Sequence, residues 1–147
     1  MMGVAGSGKT TVGALLAEAL GWRFVDADDI HSAENRAKMS GGEPLSDADR
    51  EPWLEAVATE VLSGQVVVAC SALRQAYRDR LGDARYVFLE IEEDDARSRL
   101  EARPSGHFPA ALIESQFATL EEPEDAFWLD ARLPPDVLVE LIIDQAL

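Results

Sequence analysis

The chain is poor in cysteine, in positive charge and in long apolar runs, and each shortage excludes a class of protein. Its single cysteine, Cys70, rules out an internal disulfide and a zinc site built from several cysteines, and it fits a reducing cytoplasm. The 13 lysines and arginines stand against 28 acidic residues, and this net charge of −15 would repel nucleic acid and anionic membranes. We expect neither a membrane-spanning helix nor a signal peptide. These shortages favour a cytoplasmic protein whose partners are neither nucleic acid nor anionic membrane.

The 147 residues contain no internal repeat and no linker, so we expect a single domain over residues 1–147. Short β-type runs alternate with longer helical patterns along the chain. They predict strands over 23–26, 65–70, 85–91 and 126–131, and helices over 11–20, 32–39, 47–62, 72–81, 93–102, 109–119 and 134–146. Such alternation is typical of a three-layer α/β fold with a mainly parallel sheet.

A phosphate-binding motif lies near the start of the chain. Residues Gly3–Thr10 (Gly-Val-Ala-Gly-Ser-Gly-Lys-Thr) match GxxxxGK[ST] at every fixed position. Glycines let successive backbone N–H groups turn toward phosphate oxygens, and the first turn of the following helix favours the same anion. Lys9 would bridge the β- and γ-phosphates of ATP, and Thr10 would hold Mg²⁺ through its hydroxyl. The alternative is a glycine-rich turn before a helix.

The residues before this motif are unusually few. A phosphate-binding loop normally follows a buried strand, yet Met1 and Met2 alone precede Gly3. Loss of a central strand would leave backbone donors and acceptors unpaired on both neighbouring strands. We therefore expect the first strand to be truncated in this chain, or the translation start to lie upstream.

Polar residues follow two of the predicted strands, at the edge where open α/β sheets bind ligands. Asp26, Asp28 and Asp29 end the first strand, and Ser71 ends the second. On an extended segment Asp26 and Asp28 point to the same side, so they could face a metal and a substrate hydroxyl. The alternative for these acidic residues is a solvated turn.

Histidines and arginines lie beside the same segments. His31 and His107 are too isolated for a zinc site, and each alone is more often structural. The predicted helix after Ser71 contains several of the scarce cations, and others precede the Pro104–Gly106 break: Arg74, Arg78 and Arg80, then Arg97, Arg99 and Arg103. The second group is expected in a mobile flap that brings cations onto ATP, although a run of charges is usually a solvated face.

Together these motifs resemble those of the gluconokinases (the thermoresistant gluconokinase family), P-loop carbohydrate kinases related in fold to shikimate and adenylate kinases. The resemblance covers residues 3 to about 123 and is loose over 124–147. It is carried by Gly3–Gly13, Asp26–Asp29 with His31, Glu34–Arg36 with Lys38–Met39, Pro44–Leu45, Asp47–Arg50 with Pro52–Leu54, Ala69–Leu73 with Tyr77–Asp79, Gly106–Phe108, and Ser115–Phe117 with Thr119–Glu121.

The resemblance implies a P-loop NTPase fold and ATP-dependent phosphorylation of the 6-hydroxyl of D-gluconate. It implies that ATP contacts the phosphate loop and the lid, at Gly3, Ala5, Gly6, Ser7, Gly8, Lys9, Thr10, Thr11 and Arg99. Mg²⁺ would be held by Thr10 and Asp26, and catalysis would rest on Lys9, Asp28 and Arg103. Gluconate would contact six side chains, namely Asp28, His31, Arg50, Ser71, Arg78 and His107.

The family likeness also implies a lid over about 99–110 and a homodimer. Arg74 departs from the family pattern, because relatives often carry lysine there and arginine keeps the charge but not the geometry. Three other readings stay open: a shikimate-type kinase, an inactive truncated nucleotide-binding fragment, and a nucleotide-dependent switch protein. The last is the weakest, because the only asparagine, Asn35, precedes Arg36 and leaves no NKxD guanine motif.

Overall fold

The structure is a computed structural model that describes residues 1–104 and 109–147. Within these ranges, helices and strands alternate as the sequence predicts. The strands are β1 (Arg23–Asp26), β2 (Val66–Ala69), β3 (Tyr86–Glu90) and β4 (Ala126–Asp130). The helices are α1 (Lys9–Leu20), α2 (Ala33–Ser40), α3 (Asp47–Leu62), α4 (Gln75–Leu81), α5 (Glu93–Glu101), α6 (Ala110–Thr119) and α7 (Pro135–Gln145), with a short 3₁₀ turn at Ala27–Ile30.

All strand pairing is parallel among the described residues. β1 pairs with β2, and β3 pairs with β4. Met1 and Met2 lie between these two pairs and connect them: Cys70 N donates to Met1 O at 3.0 Å, and Met2 N donates to Val87 O at 2.8 Å. The spatial order is therefore β1, β2, Met1–Met2, β3, β4, and the phosphate-binding motif leaves the middle of the sheet directly.

Helices cover both faces of the sheet. On one face, α1 and α7 bury Val12, Leu16 and Ile142 against Leu89 of β3. On the other face, α3 and α4 bury a second set of side chains, among them Trp53, Leu54, Val57, Tyr77 and Leu81. This arrangement confirms the predicted three-layer α/β fold with a parallel sheet.

Two local predictions were wrong. The helix expected over 72–81 begins at Gln75, because Ala72 has a φ of +45° and Arg74 is extended as the N-cap residue. The extended segment expected through Asp28 ends at Asp26, and the chain then enters the 3₁₀ turn, where Asp28 N donates to Asp26 Oδ1 at 3.0 Å. Asp26 and Asp28 are thus related by this turn and not by the alternation of a strand.

An apolar groove of about 550 Å³ opens at the amino ends of β2 and β3, beside Met1. Side chains from α1, β2 and β3 line it, among them Leu16, Leu20, Val67 and Tyr86. Over the described ranges, none of the helices has the length and apolar character needed to cross a membrane.

Candidate active site

A second cavity, a cleft of about 470 Å³, lies at the opposite edge of the sheet, beyond the carboxyl ends of β1 and β2. The phosphate loop, the turn after β1, the segment after β2 and α6 form its walls. It brings together ten of the residues that the sequence analysis singled out: Ala5, Gly6, Gly8, Lys9, Thr10, Asp28, His31, Arg50, Ser71 and Arg103.

The phosphate loop has the backbone geometry that an anion site requires. Gly6 and Gly8 have φ angles of 84° and 97°, and a Cβ on Gly6 would lie 2.7 Å from Ala96 O. α1 begins at Lys9, and its N-cap residue Gly8 provides no capping side chain. The first N–H groups of α1 are therefore left to an anion in the cleft.

Lys9 and Asp28 place opposite charges in this cleft. Lys9 Nζ donates to Val4 O at 2.9 Å. Burial lowers the pKa of Lys9, and the attraction of Asp28 opposes that shift. Desolvation raises the pKa of the Asp28 carboxyl, although Lys9 stabilises its charged form. The cleft thus holds a cation and a carboxylate in partly desolvated surroundings, where electrostatic interactions are stronger than in water.

Thr10 and Asp26 form a small group of oxygen donors beside the loop. Thr10 Oγ1 donates to Asp26 Oδ2 at 2.7 Å. Among the residues described, no cluster of three or more His, Cys, Asp or Glu side chains is arranged to hold a metal. Mg²⁺ needs no such cluster, because it binds through one or two protein oxygens together with phosphate oxygens and water. The Thr10–Asp26 pair fits that pattern.

His31 is held as a neutral donor in the wall of the cleft. Its ring stacks on Trp53 with centroids 4.3 Å apart. Asn35 Nδ2 donates to Asp49 O at 2.9 Å and lies 3.5 Å from His31 Nδ1, so the amide group presents N–H to that ring nitrogen. His31 Nδ1 then accepts, and Nε2 carries the proton. Burial, aided by the Arg50 charge, lowers the pKa of His31 to about 4.

Arg50 is the predicted gluconate-binding arginine that the structure brings to the cleft. Its guanidinium lies 5.4 Å from the centre of the Tyr77 ring and donates to Leu45 O. Tyr77 in turn donates its hydroxyl to Asp47 Oδ1 at 2.7 Å. These contacts hold the guanidinium of Arg50, which lines the cleft.

Arg78 and Arg99 are placed elsewhere. Arg78 is 4% exposed, donates through Nη1 to Ala72 O at 2.9 Å, and is not among the described residues that line the cleft. Arg99 lies behind the phosphate loop, where it donates to Gly6 O at 3.5 Å and to Ala131 O at 2.7 Å. The structure therefore does not bring Arg78 to the acceptor cleft, and it places Arg99 as a link between the loop and the segment after β4.

The remaining predicted residues lie in the phosphate loop, on the surface of α1, in the cleft or outside the described ranges. Gly3 N donates to Ser71 O at 3.3 Å. Ser7 is buried, and no described residue bonds its Oγ. Thr11 is exposed on α1. Arg103 lines the cleft, whereas His107 and the middle of the predicted lid fall within 105–108, outside the described residues.

The residues that the site prediction missed position other groups of the site. Trp53 and Asn35 hold His31, and Gln116 on α6 accepts a hydrogen bond from Ala5 N at 2.6 Å. All three lie inside segments that carried the family resemblance, which was the one signal in the sequence that pointed to them. Their roles depend on contacts between distant parts of the chain.

The chain is similar to known kinases along its whole length. A family model described as shikimate kinase matches residues 5–127. A probable gluconokinase of Mus musculus is 42% identical over 100% of this chain and 89% of that protein, and a gluconokinase of Gluconobacter oxydans is 43% identical over 97% of this chain and 87% of that protein.

Solved structures agree with these relatives. The crystal structure of a gluconokinase from Sinorhizobium meliloti is 40% identical and superposes with a TM-score of 0.86 over 95% of this chain and 85% of that one. A shikimate kinase from Aquifex aeolicus, at 19% identity and a TM-score of 0.65, shows the shared fold alone. With its phosphate loop and parallel sheet, the chain belongs to the gluconokinase family of shikimate-kinase-like P-loop kinases.

Proposed function

We propose that this enzyme transfers the γ-phosphoryl group of ATP to the 6-hydroxyl of D-gluconate. The observation that carries the proposal is the meeting of two half-sites in one cleft: a phosphate loop with Lys9, and an acceptor wall with Asp28, His31 and Arg50. Gluconokinases that are 42–43% identical over nearly the whole chain support gluconate as the acceptor.

The phosphate side of the cleft supplies charge neutralisation and alignment. Phosphoryl transfer depends on in-line placement and on stabilising the charge of the phosphoryl oxygens, with little covalent help from the protein. Lys9 and the first N–H groups of α1 would bind the β- and γ-phosphates, and Arg103 would approach the transferring group from the lid. Thr10 and Asp26 would hold Mg²⁺, which when bound neutralises charge on the phosphate oxygens.

The acceptor side must hold a polyhydroxy acid and orient one hydroxyl. Arg50 suits the carboxylate, because a guanidinium can grip it with two parallel hydrogen bonds. His31 donates through Nε2 to a hydroxyl, and Ser71 offers a second polar contact at the end of β2. Asp28 accepts a hydrogen bond from the 6-hydroxyl. This hydrogen bond directs the oxygen of the 6-hydroxyl toward the γ-phosphorus of ATP. The contacts of Arg78 and His107 with gluconate, and of Arg99 with ATP, stay predictions from the family resemblance.

ADP release measured with different acceptors tests the proposal. The purified chain is given ATP, Mg²⁺ and either D-gluconate, shikimate or no acceptor. We expect gluconate to stimulate ADP release strongly, with the other two reactions near background. Stimulation by shikimate and not by gluconate would favour the shikimate-type reading. Tight ATP binding without turnover on any acceptor would favour the inactive fragment.

Two further properties, the location and the oligomeric state, are proposed separately. We propose a cytoplasmic enzyme, because a single cysteine cannot form an internal disulfide, a cysteine content that fits a reducing compartment. The homodimer is proposed from the family resemblance alone. Sedimentation equilibrium, which returns the mass of the particle in solution, would show whether two copies associate.

A further inference from the structure

Gln116 joins α6 to the phosphate loop across 111 residues of sequence. Its Oε1 accepts a hydrogen bond from Ala5 N at 2.6 Å. Ala5 is the third residue of the phosphate loop, and both residues line the cleft. The backbone N–H of Ala5 is therefore engaged by a side chain, unlike the N–H groups at the start of α1.

This hydrogen bond fixes the direction of the whole amide group. The Ala5 N–H is a donor, so the Gln116 oxygen must face it, and the nitrogen Nε2 must face away from it. Within 1–104 and 109–147, no acceptor is bonded to Nε2, and this atom is not among the buried groups that lack partners. Gln116 is half-buried and lines the cleft, so a ligand bound there can reach the side of the amide that faces away from Ala5 N.

Helix α6 positions the amide group of Gln116 in the lining of the cleft. Leu112 and Ser115 precede Gln116 by four and one residues, and all three line the cleft. Ile113, three residues before Gln116 and therefore on a neighbouring part of the same face, is 2% exposed and anchors the helix in the interior. Pro109, the N-cap residue of α6, also lines the cleft, so this face of α6 closes the cleft from above the phosphate loop.

The chemistry of an amide donor suits a sugar hydroxyl. Lys9 and Arg103 already supply positive charge for phosphate oxygens, whereas a neutral N–H pair contributes direction and little charge. A site built to donate to a substrate oxygen also discriminates against molecules that lack this oxygen, because they cannot form the directed hydrogen bond. A ligand with many hydroxyls is the one that gains most from such a donor.

We propose that Gln116 is an acceptor-positioning residue: its oxygen anchors to the phosphate loop through Ala5, and its Nε2 donates to a hydroxyl of the sugar acid. The same side chain thereby sets the distance between the phosphate half-site and the acceptor half-site. This inference rests on the proposed function for the identity of the acceptor, but the anchoring contact is independent of it.

Two substitutions separate anchoring from donation. Gln116→Met keeps the length and loses both hydrogen-bonding functions, and Gln116→Glu keeps the oxygen that accepts from Ala5 but cannot donate when ionised. We expect Gln116→Glu to melt near the wild-type temperature and Gln116→Met to melt lower. Both should raise KM for gluconate by about 5–20-fold, the range expected for one lost directed hydrogen bond. In the uncharged Gln116→Met variant, the Kd of a non-hydrolysable ATP analogue should stay unchanged.

A charge control accompanies them, because glutamate also repels anions. Ser115→Asp adds a carboxylate next to Gln116 while leaving the amide group in place. A loss in Ser115→Asp as large as that in Gln116→Glu, together with wild-type KM in Gln116→Met, would overturn the proposal. Wild-type kinetics in Gln116→Glu would also overturn it, because Gln116 would then be a structural anchor only. So would Gln116 variants that change the affinity for ATP and leave KM for gluconate unchanged.

The wild-type protein decides the proposed function separately. Should it phosphorylate a different sugar acid, the same three variants are compared with that acceptor, and the positioning role is tested unchanged. Should it phosphorylate none, binding of gluconate in the presence of the ATP analogue is compared by calorimetry. A wild-type affinity in both Gln116 variants would then overturn the positioning role.

Discussion

The two ends of the sheet carry cavities of similar size and opposite chemistry. The groove at the amino ends of β2 and β3 has a volume of about 550 Å³, and the cleft at the carboxyl ends has about 470 Å³. The larger cavity is lined chiefly by apolar side chains, such as Leu16, Val67 and Tyr86. The smaller one contains Lys9 and Asp28, whose pKa values are both shifted by burial. Volume therefore does not identify the functional end of this molecule.

What separates the two ends is the direction of the strands. At the carboxyl ends, each parallel strand runs into a loop whose N–H groups and polar side chains face one common edge. Gly8, Asp28 and Ser71 all follow the ends of strand segments in this way. At the amino ends, each strand follows a helix or a loop, and the side chains there are chiefly apolar. Changes at the two ends should accordingly affect different quantities.

The largest expected effect is on turnover and lies in the cleft. Lys9→Met keeps the aliphatic stem but removes the charge that would bind the β- and γ-phosphates, and we expect kcat to fall about 10²–10³-fold. Thermal melting should stay close to wild type, since the Lys9 ammonium makes one hydrogen bond within the described residues, to Val4 O. Steady-state kinetics and a melting curve on the same preparation check this. Unchanged turnover would show that the cleft is not the site of the reaction.

The matching change in the groove should affect stability alone. Leu16 is 4% exposed and lines the groove. Leu16→Ala should lower the free energy of unfolding by about 3 kcal/mol through lost burial and a new cavity. Urea denaturation measures that loss, and kcat per folded molecule should equal that of wild type. A fall in kcat like that of Lys9→Met would erase the distinction between the two ends.

Acid should destabilise the cleft through His31. Its pKa is lowered from 6.5 to about 4, so between these values the unfolded chain binds the proton and the folded chain does not. The free energy of unfolding is therefore fully retained above pH 6.5 and falls toward pH 4, by at most about 3 kcal/mol. Urea denaturation of wild type and His31→Gln at pH 7.5 and 4.5 tests this. An equal fall in both proteins would show that His31 is not responsible.

The smallest expected effects distinguish two arginines. Arg50 lines the cleft, so Arg50→Ala should raise KM for gluconate by about 10-fold or more with little change in stability. Arg78 is buried against Ala72 O, so Arg78→Ala should lower the free energy of unfolding by about 2 kcal/mol and leave KM unchanged. If Arg78→Ala instead raised KM for gluconate in a protein of normal stability, that result would support the contact between Arg78 and gluconate that the family resemblance implies.

The fold was readable from the sequence because its determinants are local and repeated. Alternating strand and helix patterns gave α3 at 47–62, where Ser46 and Asp49 form a capping box. The turn at Ala27–Ile30 was not readable, since Ala27 O accepts from the indole of Trp53, 26 residues away. The true start of α4 was hidden for the same reason, because Gln75 N donates to Glu121 Oε2, 46 residues away.

The site divides along the same line. The phosphate loop could be predicted, because its glycines, Lys9 and Thr10 all lie within eight consecutive residues. Nothing in the residue types distinguished Arg50 from Arg78, since the difference lies in which one packs inward. The contact from Gln116 to Ala5 joins residues 111 apart and exists only after α6 has packed above the loop. Sequence reasoning found the half-sites, and packing decided which side chains reach them.

The most direct test is product formation by wild type and Asp28→Asn, followed by ³¹P NMR with ATP, Mg²⁺ and D-gluconate. We predict that wild type forms ADP and one sugar phosphate monoester in equal amounts. Asp28→Asn should bind ATP normally and melt like wild type, but form product at least about 100-fold more slowly, because the acceptor hydroxyl is no longer aligned by a carboxylate. Near-normal product formation by folded Asp28→Asn, or ADP formed without a sugar phosphate, would contradict the account.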